Sequence, residues 1–108
     1  MDVQELTSNS ADAAAFLKAI SNQNRLLILC ELTTGERSVS ELEERVPLSQ
    51  SALSQHLAKL REANLVLTRR DAQSIYYSLS DQRVVRLMGV LHEMFCAPQK
   101  NAPKGNTK

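Results

Sequence analysis

The spacing of the apolar residues changes twice in the second half of the chain, and this change limits the possible folds more than any other feature. Apolar residues recur at helical spacing over residues 49–62, alternate with polar residues over 65–70 and 74–79, and return to helical spacing after residue 80. The residues 71–73 between the alternating runs are few enough for a hairpin connection. The pattern therefore predicts a helix, a two-stranded β-hairpin and another helix, in that order.

Two helices are predicted near the N-terminus. The first is expected to begin at Ser10, because serine side chains cap helix N-termini and apolar residues follow at helical spacing. Residues 1–9 are mostly polar and are expected to be flexible. The second helix is expected from about Asn24 to Thr34, with Gly35 as the residue that ends it.

A short third helix is predicted to lead into a fourth through a tight turn. Ser40 and Glu43 have the spacing of a capping box, in which each side chain accepts a hydrogen bond from the backbone of the other residue. Pro47 ends the third helix, and Ser49 then caps the fourth, which covers about residues 50–62. The predicted buried stripe of this fourth helix consists of Leu53, Leu57 and Leu60.

The final helix is predicted to run from a cap at Ser80 to about Cys96, before Pro98. Residues 97–108 are expected to be a disordered tail, so that residues 10–96 form the folded domain. The order α-α-α-α-β-β-α is that of a winged helix-turn-helix, which is mainly α-helical with a β-hairpin wing. In this fold the second helix of the helix-turn-helix enters the DNA major groove, and the hairpin lies along the flanking backbone.

The composition fits one domain of ordinary size. The chain has 108 residues, of which 43% are hydrophobic and 23% charged, and no apolar stretch is long enough to span a membrane. The N-terminus has no targeting pattern, and the two cysteines are too few for a disulfide scaffold. The protein is therefore expected in the cytoplasm, where thiols stay reduced. Residues 1–48 carry four basic and eight acidic residues, whereas residues 49–108 carry nine basic and four acidic. This asymmetry gives weak support to a polyanionic partner.

The predicted fourth helix has a polar face suited to DNA recognition. Four small or polar residues lie opposite its leucine stripe: Ser51, Ser54, Gln55 and Ala58. Short hydroxyls and an amide allow a helix to approach base edges closely. A solvated polar face of a helix that binds nothing would have a similar composition.

Further candidate DNA-binding residues flank this face or lie in the hairpin. His56 is angled toward the buried stripe, so that a packed imidazole, a phosphate contact and a base contact all remain open. Lys59, Arg69 and Arg70 could reach phosphates, although surface basic residues often only keep a protein soluble. The complete set of candidates is Gln50, Ser51, Ser54, Gln55, His56, Lys59, Arg69, Arg70 and Gln73.

Three segments resemble the ArsR/SmtB family of repressors. They are residues 24–29 (NRLLIL), 48–60 (LSQSALSQHLAKL) and 69–79 (RRDAQSIYYSL). The resemblance implies a homodimer built on the first and last helices, which binds double-stranded operator DNA with an inverted repeat and releases it when an inducer arrives. The last helix has an apolar arc wide enough to contact both its own core and a partner subunit. Many family members have glycine where this chain has Ala72.

The resemblance also bears on the inducer. Arsenic and cadmium sensors of the family carry cysteines in the third helix, where this chain has none at residues 38–44, and the zinc and nickel ligand pattern of the last helix is interrupted at Arg83. The positions of Cys30 and Cys96 resemble those in the persulfide-responsive branch of the family. This resemblance implies that reactive sulfur species join the two thiols by a disulfide or polysulfide bridge, after which DNA is released.

Residue chemistry alone leaves other roles open for these thiols. Cys30 shares a helical face with Leu26 and Leu29 and could be an inert core thiol. Alternatively, a metal-responsive repressor could bind zinc or copper through Cys30, His92 and Cys96. No Cys-x-x-Cys pair, Ser/His/Asp pattern or glycine-rich phosphate loop is recognised, so neither an enzyme nor a cofactor is expected.

Overall fold

The computed structural model describes residues 2–96, which form five helices and three strands. In chain order these are α1 (Val3–Ile20), α2 (Gln23–Leu32), β1 (Arg37–Ser38), α3 (Val39–Arg45), α4 (Gln50–Glu62), β2 (Val66–Asp71), β3 (Ser74–Leu79) and α5 (Gln82–Phe95). The predicted winged helix-turn-helix is confirmed, with α3 and α4 as the helix-turn-helix and β2 and β3 as the wing. The tail predicted at 97–108 lies outside the described residues. Within the described range, no helix is both long and apolar enough to cross a membrane.

Helix α1 begins at Val3, so the predicted start at Ser10 is wrong. Asp2 caps the helix by accepting a hydrogen bond from the N–H of Gln4 at 2.9 Å. The Ser10 hydroxyl instead donates to the carbonyl oxygen of Thr7 at 3.0 Å, an arrangement that serine adopts inside helices. Residues 3–9, which were expected to be flexible, are therefore part of a helix.

Helix α2 begins after Asn22 and ends two residues before the predicted Thr34. The Asn22 side chain accepts hydrogen bonds from the N–H groups of Asn24 and Arg25, at 2.9 and 3.1 Å, and so caps the helix. Gly35 follows with a φ of 139°, a conformation that glycine adopts without strain.

The capping box of α3 lies two residues earlier than predicted. Ser38 Oγ accepts from the Glu41 N–H at 3.1 Å, and the Glu41 carboxylate accepts from the Ser38 N–H at 2.8 Å. The predicted box at Ser40 and Glu43 is therefore wrong. Both pairs have the required spacing, but Ser38 also pairs with Tyr76 of β3, and this strand pairing holds Ser38 in the extended conformation that a helix cap needs.

Helix α5 is capped by Asp81 rather than by the predicted Ser80. The Asp81 carboxylate accepts from the N–H of Arg83 at 2.8 Å and also forms an ion pair with that arginine. The Ser80 hydroxyl donates to the carbonyl oxygen of Asn64 at 2.6 Å. This bond fastens the start of α5 to the turn that connects α4 with β2.

The three strands form one antiparallel sheet with β3 in the centre and β1 and β2 at its edges. Strands β2 and β3 pair over their whole length, and β2 extends to Asp71, one residue beyond the predicted Arg70. Ala72 and Gln73 make the turn, and Ala72 has a left-handed φ of 57°. The pairing of β1 with β3 was not predicted from the sequence.

The buried core joins α2, α3, α4 and α5 to one another and to the sheet. Its largest fully buried side chains are Ile28, Leu29, Leu42, Leu53, Leu60 and Val84. The predicted bounds of α4 and its Ser49 cap are confirmed, and Ser49 Oγ accepts from the Ala52 N–H at 3.2 Å. Because the leucine stripe of α4 is buried as expected, the opposite face of this helix is turned to solvent.

Candidate DNA-binding surface and dithiol site

Helix α4 presents a continuous row of exposed side chains that are small, polar or basic. The exposed residues of this row are Gln50, Ser51, Ser54, Gln55, Ala58 and Lys59. Burial of the leucine stripe against the core fixes their direction, since side chains on opposite faces of a helix cannot both turn inward. The surface therefore has the short hydroxyl and amide groups with which a helix can approach base edges in a major groove.

His56 is half-buried at the edge of this row. Burial lowers the pKa of its imidazole, and the positive charge of Arg25 lowers the pKa further. The ring is therefore mainly neutral at pH 7. A neutral imidazole can form hydrogen bonds with a base edge or a phosphate, but it adds no positive charge to the surface.

In the wing, Arg69 is bound by other groups of the protein. Its guanidinium donates two hydrogen bonds to the Glu36 carboxylate, at 2.9 and 2.8 Å, and lies 4.6 Å from the centre of the Tyr76 ring. The hydrogen bonds from Arg69 lower the pKa of the Glu36 carboxyl. Glu36 was missed by the sequence analysis, because it is 33 residues from Arg69 and approaches it only through the β1-β3-β2 sheet.

Arg70 and Gln73 are exposed in the outer part of the wing. Successive strand residues point to opposite faces, so Arg70 is directed away from Arg69. Among residues 2–96, no carboxylate lies within ion-pair distance of Arg70. Of the two wing arginines predicted to contact phosphates, Arg70 is thus the one that needs no rearrangement to do so.

Cys30 on α2 and Cys96 at the end of α5 line the same groove. The groove has a volume of about 290 Å³, and its remaining lining residues are Leu26, Leu27, Met88, Leu91, His92 and Phe95. Both thiols are free and exposed, so the interpretation of Cys30 as an inert core thiol is wrong. The neighbouring residue on α2, Leu29, occupies the core position, and the next residue along a helix is turned about 100° away from it.

The electrostatic surroundings of Cys30 disfavour its thiolate. Partial burial raises the pKa of the Cys30 thiol, and negative charge on Cys96 and Glu31 raises it further. A thiolate at Cys96 therefore opposes ionisation of Cys30. A thiol must ionise before it attacks sulfur, so these surroundings make Cys30 a poor first nucleophile.

The groove also contains His92, the third residue of the alternative metal site. Within residues 2–96, however, no three His, Cys, Asp or Glu side chains are grouped so that they could hold a metal ion. The described geometry gives no support to a zinc or copper site at Cys30, His92 and Cys96.

Helices α1 and α5 carry large apolar side chains that the fold leaves exposed. They are Val3, Leu6 and Leu17 on α1 and Val90, Met94 and Phe95 on α5. Single exposed apolar residues are normal on a protein surface, whereas several of them on neighbouring turns are more typical of interaction surfaces.

Comparison with known proteins agrees with this arrangement of elements. The model of the bacterial regulatory proteins of the arsR family matches residues 22–68, from the cap of α2 into β2. The transcriptional activator HlyU of Vibrio cholerae serotype O1 is 51% identical over 96 residues, which are 89% of each chain. The chain belongs to the arsR family. As an arsR-family protein it is a DNA-binding transcriptional regulator.

Solved structures of similar proteins have the same fold as this arsR-family chain. Reduced HlyU from Vibrio cholerae N16961 superposes with a TM-score of 0.81 at 51% identity, covering 87% of this chain and 99% of that one. The transcriptional repressor BigR from Xylella fastidiosa superposes with a TM-score of 0.86 at 37% identity, covering 91% of this chain and 100% of that one. A homodimeric winged helix-turn-helix DNA-binding domain from Mycobacterium bovis superposes with a TM-score of 0.71 at 29% identity, covering 82% of this chain and 83% of that one.

Proposed function

We propose that this arsR-family regulator is a homodimeric repressor whose DNA binding is controlled by a bridge between Cys30 and Cys96. The reduced dimer binds an inverted-repeat operator. Reactive sulfur species join the two thiols by a disulfide or polysulfide bridge, and the dimer then releases DNA. The observation that carries the proposal is the shared groove, since α2 and α5 bring the two cysteines of the chain to the same apolar cavity.

A dimer through α1 and α5 would cover the apolar side chains that these helices leave exposed. Two-fold symmetry would place two copies of α4 about one DNA turn apart, as an inverted repeat requires. The homodimeric relative from Mycobacterium bovis supports this assembly, and the relative BigR, a transcriptional repressor, supports the direction of regulation.

The DNA contacts are divided between α4 and the wing. Bases would be read by the polar face of α4, through Gln50, Ser51, Ser54, Gln55 and His56. Phosphates would be bound by Lys59, Arg70 and Gln73, and by Arg69 once it leaves Glu36. Each of these residues lies on an exposed or half-exposed surface of the described chain.

The thiol chemistry takes two steps with an organic persulfide, R–S–SH, as the oxidant. Because the pKa of Cys30 is raised, Cys96 acts first, and its thiolate attacks the outer sulfur of the persulfide. The S–S bond of the persulfide breaks, R–S⁻ leaves and takes up a proton, and the protein holds Cys96–S–SH. Cys30 then loses its proton to solvent, and its thiolate attacks the Cys96 sulfur, which releases HS⁻ and leaves a disulfide.

The two cysteines are thus oxidised while the persulfide is reduced to a thiol and sulfide. If a second persulfide has first converted Cys30 to its own persulfide, attack by that group leaves one additional sulfur atom in the bridge. Extra sulfur atoms relax the distance limit of a plain disulfide, for which the two Cα atoms must lie within about 7 Å.

The bridge would act on DNA binding through the helices that carry the thiols. Helix α2 packs against α4, and α5 belongs to the proposed dimer contact. Linking α2 to the end of α5 would therefore change the relative orientation of the two α4 helices in the dimer. A coupling free energy of about 1–3 kcal/mol, which is typical of allosteric proteins, corresponds to a loss of roughly 5- to 150-fold in operator affinity.

The proposal is tested by operator binding of the wild-type chain, Cys30→Ser and Cys96→Ser before and after treatment with an organic persulfide. We expect the wild type to lose at least roughly fivefold in affinity and to regain it with dithiothreitol, while neither serine variant responds. Mass spectrometry of the treated wild type should show one intramolecular bridge.

His92→Ala is the matched control, because His92 lines the same groove without a thiol. We expect this variant to respond to persulfide as the wild type does. Release of DNA by the serine variants would overturn the dithiol mechanism. Release that depends on added zinc and on His92 would favour the metal-responsive alternative.

A further inference from the structure

A second cavity lies between α1, α2 and the end of α4, away from the thiols. Its volume is about 410 Å³, and its lining residues are Ala15, Lys18, Ala19, Arg25, Lys59, Glu62 and Ala63. We call it the basic cleft, because three side chains of its lining are cationic and one is anionic. Among residues 2–96, none of the three cations lies within ion-pair distance of a carboxylate.

Arg25 has hydrogen-bonding capacity that the protein does not use. Its Nε atom is buried and has no hydrogen-bond partner in the part of the chain that is described. A buried donor without a partner is destabilising, and most buried polar groups in native proteins have a hydrogen-bond partner. Among the described residues, the cleft thus combines three unpaired cationic side chains, one of which has an unsatisfied donor, and this composition is suited to an anion.

The basic cleft borders the DNA-reading face of α4. At 100° per residue, Lys59 and Glu62 lie on the same stripe of α4 as Ser51 and Gln55, and Lys59 is about 6 Å further along the helix than Gln55. Arg25 is close enough to His56 for its charge to act on the imidazole. An anion in the cleft would therefore lie beside a duplex whose bases contact Ser51 and Gln55.

We propose that the basic cleft binds a phosphate group of the DNA backbone next to the bases read by α4, with Lys18 and Arg25 as ligands additional to Lys59. The proposal rests on the proposed function, because it requires α4 to lie in the major groove. Lysine supplies a point charge and arginine a directed donor, the usual partners of a phosphate oxygen. Glu62 opposes the phosphate and weakens the binding.

The test measures the affinity of reduced protein for a duplex that the wild-type chain has selected from a random pool, over a series of salt concentrations. Lys18→Gln, an exposed substitution on α1, is expected to lower affinity roughly three- to tenfold and to make the salt dependence shallower by about one unit of slope per lost phosphate contact. Glu62→Gln is expected to raise affinity several-fold.

Arg86→Gln is the charge-matched control, because Arg86 is exposed on α5 outside the cleft. We expect its salt slope to equal that of the wild type. If the wild type selects a duplex but Lys18→Gln matches it in slope and affinity, the cleft proposal fails while the proposed function stands. If the wild type binds no duplex, both fail.

A titration of the protein with inorganic phosphate, followed by NMR, tests whether the cleft binds a free phosphate ion rather than a phosphate of DNA. Saturable shifts at Lys18 and Arg25, lost in Lys18→Gln without any change in DNA binding, would show a small-anion site and overturn the assignment to DNA. A shallower salt slope in the variant supports that assignment.

Discussion

Cys30 is a thiol that the folded protein keeps protonated. Partial burial, Cys96 and Glu31 all raise its pKa, and a thiol must ionise before it attacks sulfur. At neutral pH the residue is consequently a slow nucleophile toward general electrophiles. In the proposed route to a plain disulfide, Cys30 reacts only after Cys96 has captured a sulfur atom, which places the electrophile directly beside it.

Alkylation of Cys30 should reflect this raised pKa. In Cys96→Ser, where Cys30 is the remaining thiol, we expect the rate of reaction with iodoacetamide to increase with pH through a midpoint above the ordinary cysteine pKa, because burial and Glu31 still act. The same chain unfolded in urea is the control and should titrate near the ordinary value. A folded-state midpoint below that of the unfolded chain would contradict the prediction.

Single residues also show how far the sequence can predict the site. The exposure of Ser51, Ser54 and Gln55 followed from the leucine stripe of the same helix, since helical periodicity is a local property. The ion pair between Glu36 and Arg69 joins residues 33 positions apart, and it depends on strand pairing that no local pattern encodes.

Among the elements, the β2–β3 hairpin contains a strained turn. Ala72 has a φ of 57°, and a side chain in the left-handed region costs about 1–2 kcal/mol relative to glycine. Strand pairing on both sides of the turn holds Ala72 in this conformation. The alanine is thus tolerated at the expense of some stability of the wing.

Ala72→Gly should therefore stabilise the protein. We expect the free energy of unfolding to rise by about 0.5–1 kcal/mol. The relief of strain exceeds the entropic cost that arises because glycine makes the unfolded chain more flexible. Ala58→Gly, at an exposed site inside α4, is the control and should lower it by about 1 kcal/mol. Chemical denaturation measures both, and an equal loss in the two variants would show that the turn is not strained.

The bounds of α4 were predictable because Pro47 and Ser49 mark its start in the sequence itself. The start of α1 was not predictable, because its first residues bury no apolar side chain and so show no helical spacing of apolar residues. The Asp2 side chain caps these residues, and the hydroxyls of Thr7 and Ser8 donate to carbonyl oxygens within the helix. A helix boundary that depends on a side-chain cap, or on strand pairing as at Ser38, cannot be predicted from the spacing of apolar residues.

At the scale of the whole molecule, the chain is broader than a compact monomer of its length. Its radius of gyration is 16.0 Å, compared with about 13 Å for a compact domain of 100 residues. This extended shape agrees with the proposed dimer, in which a second copy would cover the exposed apolar residues of α1 and α5.

Val90→Glu should break the proposed dimer. Val90 is 49% exposed on α5, and a carboxylate buried at an interface without a partner costs several kcal/mol. We expect sedimentation equilibrium to show monomers and affinity for an inverted repeat to fall. Leu67→Glu, at a residue of β2 that is 58% exposed, is the control and should remain dimeric. A dimeric Val90→Glu would exclude α5 as the contact.

The exposure of both sulfur atoms limits how long the proposed signal can last. A bridge at the mouth of an open groove stays within reach of small cellular thiols, which reverse it by exchange. The regulator would then keep no memory of past exposure, and the time for which its genes stay derepressed would follow the momentary balance between sulfur donors and reductants.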